Sequence, residues 1–126
     1  MRAGDTIRFD ISVPRRRLPE LRDFVLGRFG SDSVVVSEFG HWGDGGTHLA
    51  LVYPNRDVPP TSQAIRQEIY DKVVFDLGGS FSSEHGLGRH NAQFYERYVP
   101  EFERKLASQM KQLLDPRSVW GTAPFL

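Results

Sequence analysis

Two short segments hold most of the side chains that could bind a metal or move a proton: Gly40-His41-Trp42-Gly43-Asp44-Gly45-Gly46-Thr47-His48 and Ser83-Glu84-His85-Gly86-Leu87-Gly88. Two imidazoles and one carboxylate leave open positions on a divalent ion, which is what a catalytic metal site needs. A further imidazole beside them, His85, is then free to act as acid or base near neutral pH. The glycines of the second segment permit a sharp turn or a close approach of backbone to a planar ligand.

Asp44-Gly45 is a strong signal for a tight hairpin turn, because both central residues of such a turn need positive φ. Counting outward from it pairs Gly43 with Gly46, Trp42 with Thr47 and His41 with His48. Directly opposed residues have Cβ atoms about 4.5–5.5 Å apart on one face. Two imidazoles so placed reach one ion, with bonds of about 2.0–2.1 Å for zinc. A bulge would slip the register and break the pair. From spacing alone, an ordinary polar cross-strand pair accounts for the histidines as well as a metal does. A surface loop likewise accounts for Glu84-His85. Asp44 reads as a turn residue, Trp42 as packing and His90 as surface.

The elements that must position these residues follow from periodicity. Residues 6–13 alternate, with Ile7, Phe9, Ile11 and Val13 on one face and Arg8, Asp10 and Ser12 on the other, as in a half-buried strand ended by Pro14. Leu18 to Phe29 reads as a helix with Pro19 in its first turn, a stripe of Leu18, Leu21, Val25 and Phe29, and Gly30 as its stop. Residues 33–39 and 48–53 read as the second and third strands. A helix over about 61–77 repeats Ile65, Ile69, Val73 and Leu77 every four residues and stops at Gly78-Gly79. Residues 80–83 suit a short fourth strand, 93–98 a short helix, and 100–114 a helix with Phe102, Leu106, Met110 and Leu113 on one stripe. The order β-α-β-β-α-β followed by helices predicts an α+β, ferredoxin-like antiparallel sheet. In its ideal strand order, 4-1-3-2, Glu84 follows the end of the fourth strand, away from the hairpin histidines. Either a very short fourth strand or a Glu84 lying on the sheet face is needed to join them.

With 126 residues the chain is one domain by length, and 25% charged residues against 39% hydrophobic ones mark it as globular. Sixteen basic residues balance sixteen acidic ones, so net charge gives no case for nucleic acid or an anionic membrane. Arg15-Arg16-Arg17 is too short to change that and reads as a solvated turn. The absence of cysteine excludes disulfides and thiolate metal sites and leans towards the cytoplasm. There is no apolar run of membrane-span length. A strand beginning a few residues from Met1, without a signal-peptide pattern, suggests a piece of a longer protein.

Three segments together resemble the C-terminal domain of the FAD-linked oxidases, the group of D-lactate dehydrogenases, glycolate oxidase flavin subunits and D-2-hydroxyglutarate dehydrogenases. FDISVPRRRLPEL (9–21) is similar to the opening of the last half of that domain. GHWGDGGTH (40–48) is similar to His-x-Gly-Asp-Gly-Asn-x-His, and SSEHGLG (82–88) to Glu-His-Gly-Ile-Gly. The tail from Lys111 sits where the family has Leu-Asp-Pro followed by Asn-Pro-Gly.

The resemblance implies a divalent ion, often zinc, held by His41, His48 and Glu84, and oxidation of a D-2-hydroxyacid with hydride transfer to FAD. It implies His85 as the base that takes the hydroxyl proton, Arg8 as a substrate-carboxylate ligand, and Gly86 and Gly88 beside the cofactor. It further implies an N-terminal FAD-binding domain outside this chain, without which turnover is not expected. Implied partners are the 2-hydroxyacid, that domain, and an acceptor such as a quinone, a cytochrome or an electron-transferring flavoprotein. Peripheral membrane association and a homodimer are compatible with this. Gly46 replaces the family's last motif asparagine and Ala50 an asparagine often found two residues after the second histidine, so polar substrate contacts differ. Residues 121–124 replace the terminal Asn-Pro-Gly. The alternative reading is a metal-binding or structural module without a flavin domain.

Overall fold

The computed structural model describes residues 5–54 and 59–120, and the side chains of Arg89 and His90 lie outside that set. The surface reading of His90 and the tail departure at 121–124 therefore fall outside the described residues. Two compact units are formed, one up to His85 and one from Gly86 onward.

The first unit is built on three strands, β1 (Asp5–Ser12), β2 (Val35–Phe39) and β3 (Gly46–Tyr53), in the order β1-β3-β2 with both pairs antiparallel. α1 (Leu18–Phe29) has the bounds that its stripe and flanking residues predict. α2 (Ser62–Asp71) continues through a wider, π-type turn at Lys72–Asp76, closed by Leu77 N–H donating to Lys72 O at 3.0 Å. The alternation of β1 buries Ile7, Phe9, Ile11 and Val13 as expected. They meet Leu49 and Leu51 of β3, Leu21 and Val25 of α1, and Ile69, Tyr70 and Val73 of the second helical segment in one core. Phe9 and Phe81 both set ring edges against Tyr70 at 5.7 Å. Outside the core, Arg28–Glu68 and Lys72–Glu20 tie α1 to the second helical segment. Arg17 is more than a solvated turn residue, because its guanidinium donates to Asp76 O at 3.0 Å.

The expected α+β class is found, but the four-stranded ferredoxin-like sheet is not formed among the described residues. The fourth strand shrinks to a single bridge, Ser12 with Ser80, beyond which Ser80 and Ser82 bond each other. The hairpin register also differs from the count made outward from Asp44-Gly45. Phe39, not His41, opposes His48. The reason lies in Gly45 and Gly46. Val13 N–H donates to Gly45 O at 3.1 Å, Asp44 Oδ1 takes Gly46 N–H at 2.9 Å, and β1 pairs with β3 as far as Gly46. These bonds pull Gly45-Gly46 onto the β1 side and leave residues 40–45 as a longer loop.

Gly45 has φ +95°, and a Cβ there would lie 2.1 Å from Val13 O. Gly45→Ala should therefore cost at least about 2 kcal/mol, from the left-handed conformation and the backbone clash together. Gly43→Ala, with nothing within 4 Å of its Cβ position, should stay within about 0.5 kcal/mol of the parent. Urea denaturation checks the contrast, and equal stabilities for the two variants would refute it.

The second unit holds α3 (Gly88–Tyr98) and α4 (Glu101–Leu114). The expected α4 stripe is present and exposed at Phe102, Leu106, Met110 and Leu113. Asp115 ends α4 by accepting N–H bonds from Val119 and Trp120 and pairing with Lys111. The Lys111 ammonium first, then those amides, hold its carboxyl below the ordinary range against the opposing effect of desolvation. No described helix is long and apolar enough to cross a membrane.

Candidate metal centre

The pleat of the sheet sets out the site in rows. On the face away from the core, Asp10 of β1, His48 of β3 and Phe39 of β2 lie side by side, and Arg8, Ala50 and Ser37 form the next row. Residues two apart on a strand share a face, so Arg8 and Asp10 point the same way.

Glu84 and His85 reach this face by a route that the ideal topology does not provide. After the bridge at Ser80, Ser83 N–H donates to Asp10 O at 3.2 Å. The chain then turns over the sheet face, where Asp10 Oδ2 accepts the successive amides of Ser83, Glu84 and His85 at 3.2, 2.8 and 2.7 Å. Both conditions that would join Glu84 to the histidines are thus met.

The result is a compact donor cluster. His41 Nε2 and His48 Nε2 each lie 3.7 Å from the Glu84 carboxylate, one beside each oxygen. At that distance the contacts are not hydrogen bonds. Two atoms each about 2.0–2.1 Å from one ion can be up to about 4.2 Å apart, so each histidine–Glu84 pair has a spacing that suits two donors of one ion. His41 does this from the loop, with a side chain 70% exposed, rather than from the strand pair that register counting gives it. His48 is far more enclosed, at 20%.

Periodicity places Asp10 only on the polar face of β1 and gives it no part in the site. Its Oδ1 lies 3.5 Å from His48 Nδ1 and is buried without a hydrogen-bond partner. Desolvation alone would raise this carboxyl. The amides of His85 and Glu84, the His85 imidazole and the Ser83 amide outweigh it and hold the group below its ordinary 3.8. The pairing of Asp10 with His48 follows from the β1–β3 register, and that register was the signal that could have found it.

His85 stacks on His48 with ring centroids 5.0 Å apart and planes 11° from parallel, and its Nδ1 faces Asp10 Oδ2 at 3.9 Å. Among the described residues, Asp10, His48 and His85 are the donors whose ligand atoms all lie within 4.8 Å of one another, and they could hold an ion themselves. The Asp10 oxygen nearer His85 is already occupied by three amides, whereas no described donor bonds to the Glu84 carboxylate. His41 and His48 thus each present Nε2 to one oxygen of a carboxylate that could hold a divalent ion together with them. Gly86 and Gly88 both adopt positive φ, +69° and +53°, with open space at their Cβ positions. Gly46 is where the loop comes closest, since a Cβ there would lie 3.2 Å from Ser83 Oγ and 3.8 Å from Glu84 Oε1.

Comparison with known proteins finds relatives that match most of the chain. The chain is 30% identical over 116 residues to mitochondrial D-2-hydroxyglutarate dehydrogenase of Danio rerio, covering 92% of the chain and 21% of that protein. It is 32% identical to the Rattus norvegicus protein of the same name, covering 94% and 22%. With the glycolate oxidase subunit GlcD of Bacillus subtilis the identity is 27%, covering 90% and 24%. The chain thus spans about a fifth to a quarter of the length of these relatives. Residues 2–120 match the family described as FAD linked oxidases, C-terminal domain, and the chain belongs to that family.

Proposed function

We propose that this chain is the substrate and metal portion of an FAD-dependent 2-hydroxyacid dehydrogenase that oxidises a D-2-hydroxyacid to the 2-oxoacid. The observation that carries the reading is the meeting of His41, His48 and Glu84 on one sheet face with His85 stacked beside them. The similarity to D-2-hydroxyglutarate dehydrogenases and a glycolate oxidase subunit supports the same class of substrate.

In this mechanism Arg8, exposed in the row next to the donor cluster, binds the substrate carboxylate through its planar guanidinium. A zinc-like ion on His41, His48 and Glu84 supplies Lewis-acid polarisation of the hydroxyl when bound. His85 takes the hydroxyl proton on Nε2, because its Nδ1 edge is turned to Asp10. A bound flavin would supply the acceptor for the α-carbon hydride as the C–O bond becomes a carbonyl. Gly86 and Gly88 let backbone lie close to the isoalloxazine. The FAD would be held by an N-terminal domain, and a quinone, a cytochrome or an electron-transferring flavoprotein would serve as its electron acceptor.

The test uses the protein with its flavin domain, mixed anaerobically with a panel of D-2-hydroxyacids while flavin bleaching is followed. At least one acid should bleach the flavin. Chelator should slow the reaction by roughly 10³-fold, the effect of losing several kcal/mol of charge stabilisation, and added zinc should restore it. No bleaching by any acid in the zinc-loaded protein refutes the dehydrogenase reading. Bleaching that chelator leaves untouched refutes the role of the metal.

A further inference from the structure

We propose that Asp10 is the positioning residue of this centre, using its two oxygens for two separate tasks. The inference rests on the metal-centre reading of His41, His48 and Glu84. Oδ2 takes the amides of Ser83, Glu84 and His85 and so fixes the backbone that carries the carboxylate and the neighbouring imidazole. Oδ1, buried and otherwise unpartnered, faces His48 Nδ1 at 3.5 Å. A carboxylate oxygen only accepts, so it favours the proton on Nδ1. That leaves the lone pair on Nε2, the nitrogen that faces Glu84. A carboxylate behind a ligating histidine sets the ring's tautomer and orientation, and losing such a partner usually costs 10–100-fold in metal affinity.

Asp10→Asn separates the two tasks. The amide oxygen can still accept the three backbone N–H groups, while the NH₂ turned to His48 can only donate. Nδ1 must then be the acceptor and the proton moves to Nε2, which is the wrong tautomer for binding through that nitrogen. Asp10→Ala removes both functions.

The experiment measures zinc affinity by calorimetry on the full chain, with zinc alone as the probe. The tautomer of His48 is read from imidazole ¹⁵N shifts in the zinc-free chain, and the loop from the backbone amide shifts of residues 83–85. For Asp10→Asn we expect roughly a 10–100-fold weaker zinc affinity, a His48 switched from Nδ1–H to Nε2–H, and loop amide shifts like the parent's. For Asp10→Ala the loop amides should move as well. Parent-like zinc affinity in Asp10→Asn overturns the proposal, as does an unchanged tautomer. If that variant does not fold, the parent decides alone, since an Nε2–H tautomer there overturns it equally. A parent that takes no zinc yet changes tautomer in Asp10→Asn sinks the metal reading and leaves the orienting role of Asp10 standing.

Discussion

Replacing His48 with alanine is expected to weaken zinc binding by more than about a hundredfold while the chain stays folded. His48 is the one imidazole shared by both possible donor sets, and it is the more enclosed of the two hairpin histidines. Loss of a partner behind a ligand already costs 10–100-fold, so loss of a ligand itself should cost more. The fold should tolerate the change, because the ring stands on the outer face, where it meets Phe39 at 5.2 Å and His85 at 5.0 Å. Such ring contacts are worth about 0.5–1.5 kcal/mol each, against a typical domain stability of about 5–15 kcal/mol. Calorimetry with zinc and a urea melt give both numbers. Parent-like affinity would remove His48 from the centre. Companion variants identify the ligand set: Glu84→Gln should also lose zinc, whereas His85→Ala should keep it. The opposite pattern moves the ion to Asp10, His48 and His85.

Much of the frame could be read from residue order because it depends on local rules. The alternation Ile7, Phe9, Ile11, Val13 names the buried face of β1, and Pro19 and Gly30 bracket α1 within its observed bounds. The hairpin register failed for a reason that is not local. Asp44-Gly45 carries the signature of a two-residue turn, but Val13, just past the end of β1, draws Gly45 away from that role. Asp10 shows the same limit. Its polar side of β1 is legible, but its partners include the amide of Glu84, 74 positions along the chain. Only the β1–β3 register and the turn after Ser80 bring them together. The likeness to the FAD-linked oxidases singles out His41, His48 and Glu84 without showing how His41, in a loop, and Glu84, beyond a one-bridge strand, come to lie 3.7 Å apart.

His85→Gln should lower kcat by about 10²–10⁴-fold in the flavin-containing protein, the usual contribution of a positioned general base, while zinc affinity stays within a few-fold of the parent. The two effects separate because His85 enters the centre in two independent ways. Its backbone N–H is the shortest of the three bonds to Asp10 Oδ2, and that bond survives any side chain at position 85. The loop that carries Glu84 should therefore stay in place. Its imidazole lies flat on His48, in a side chain that is 69% exposed. Glutamine keeps a polar side chain of similar reach but cannot accept and hold the hydroxyl proton. Flavin reduction in single turnover, measured across pH with and without added zinc, separates chemistry from metal loss. If the variant turns over at the parent's rate, His85 is not the base. If kcat falls only because zinc is gone, His85 belongs among the ligands, and the proton must be taken by another group.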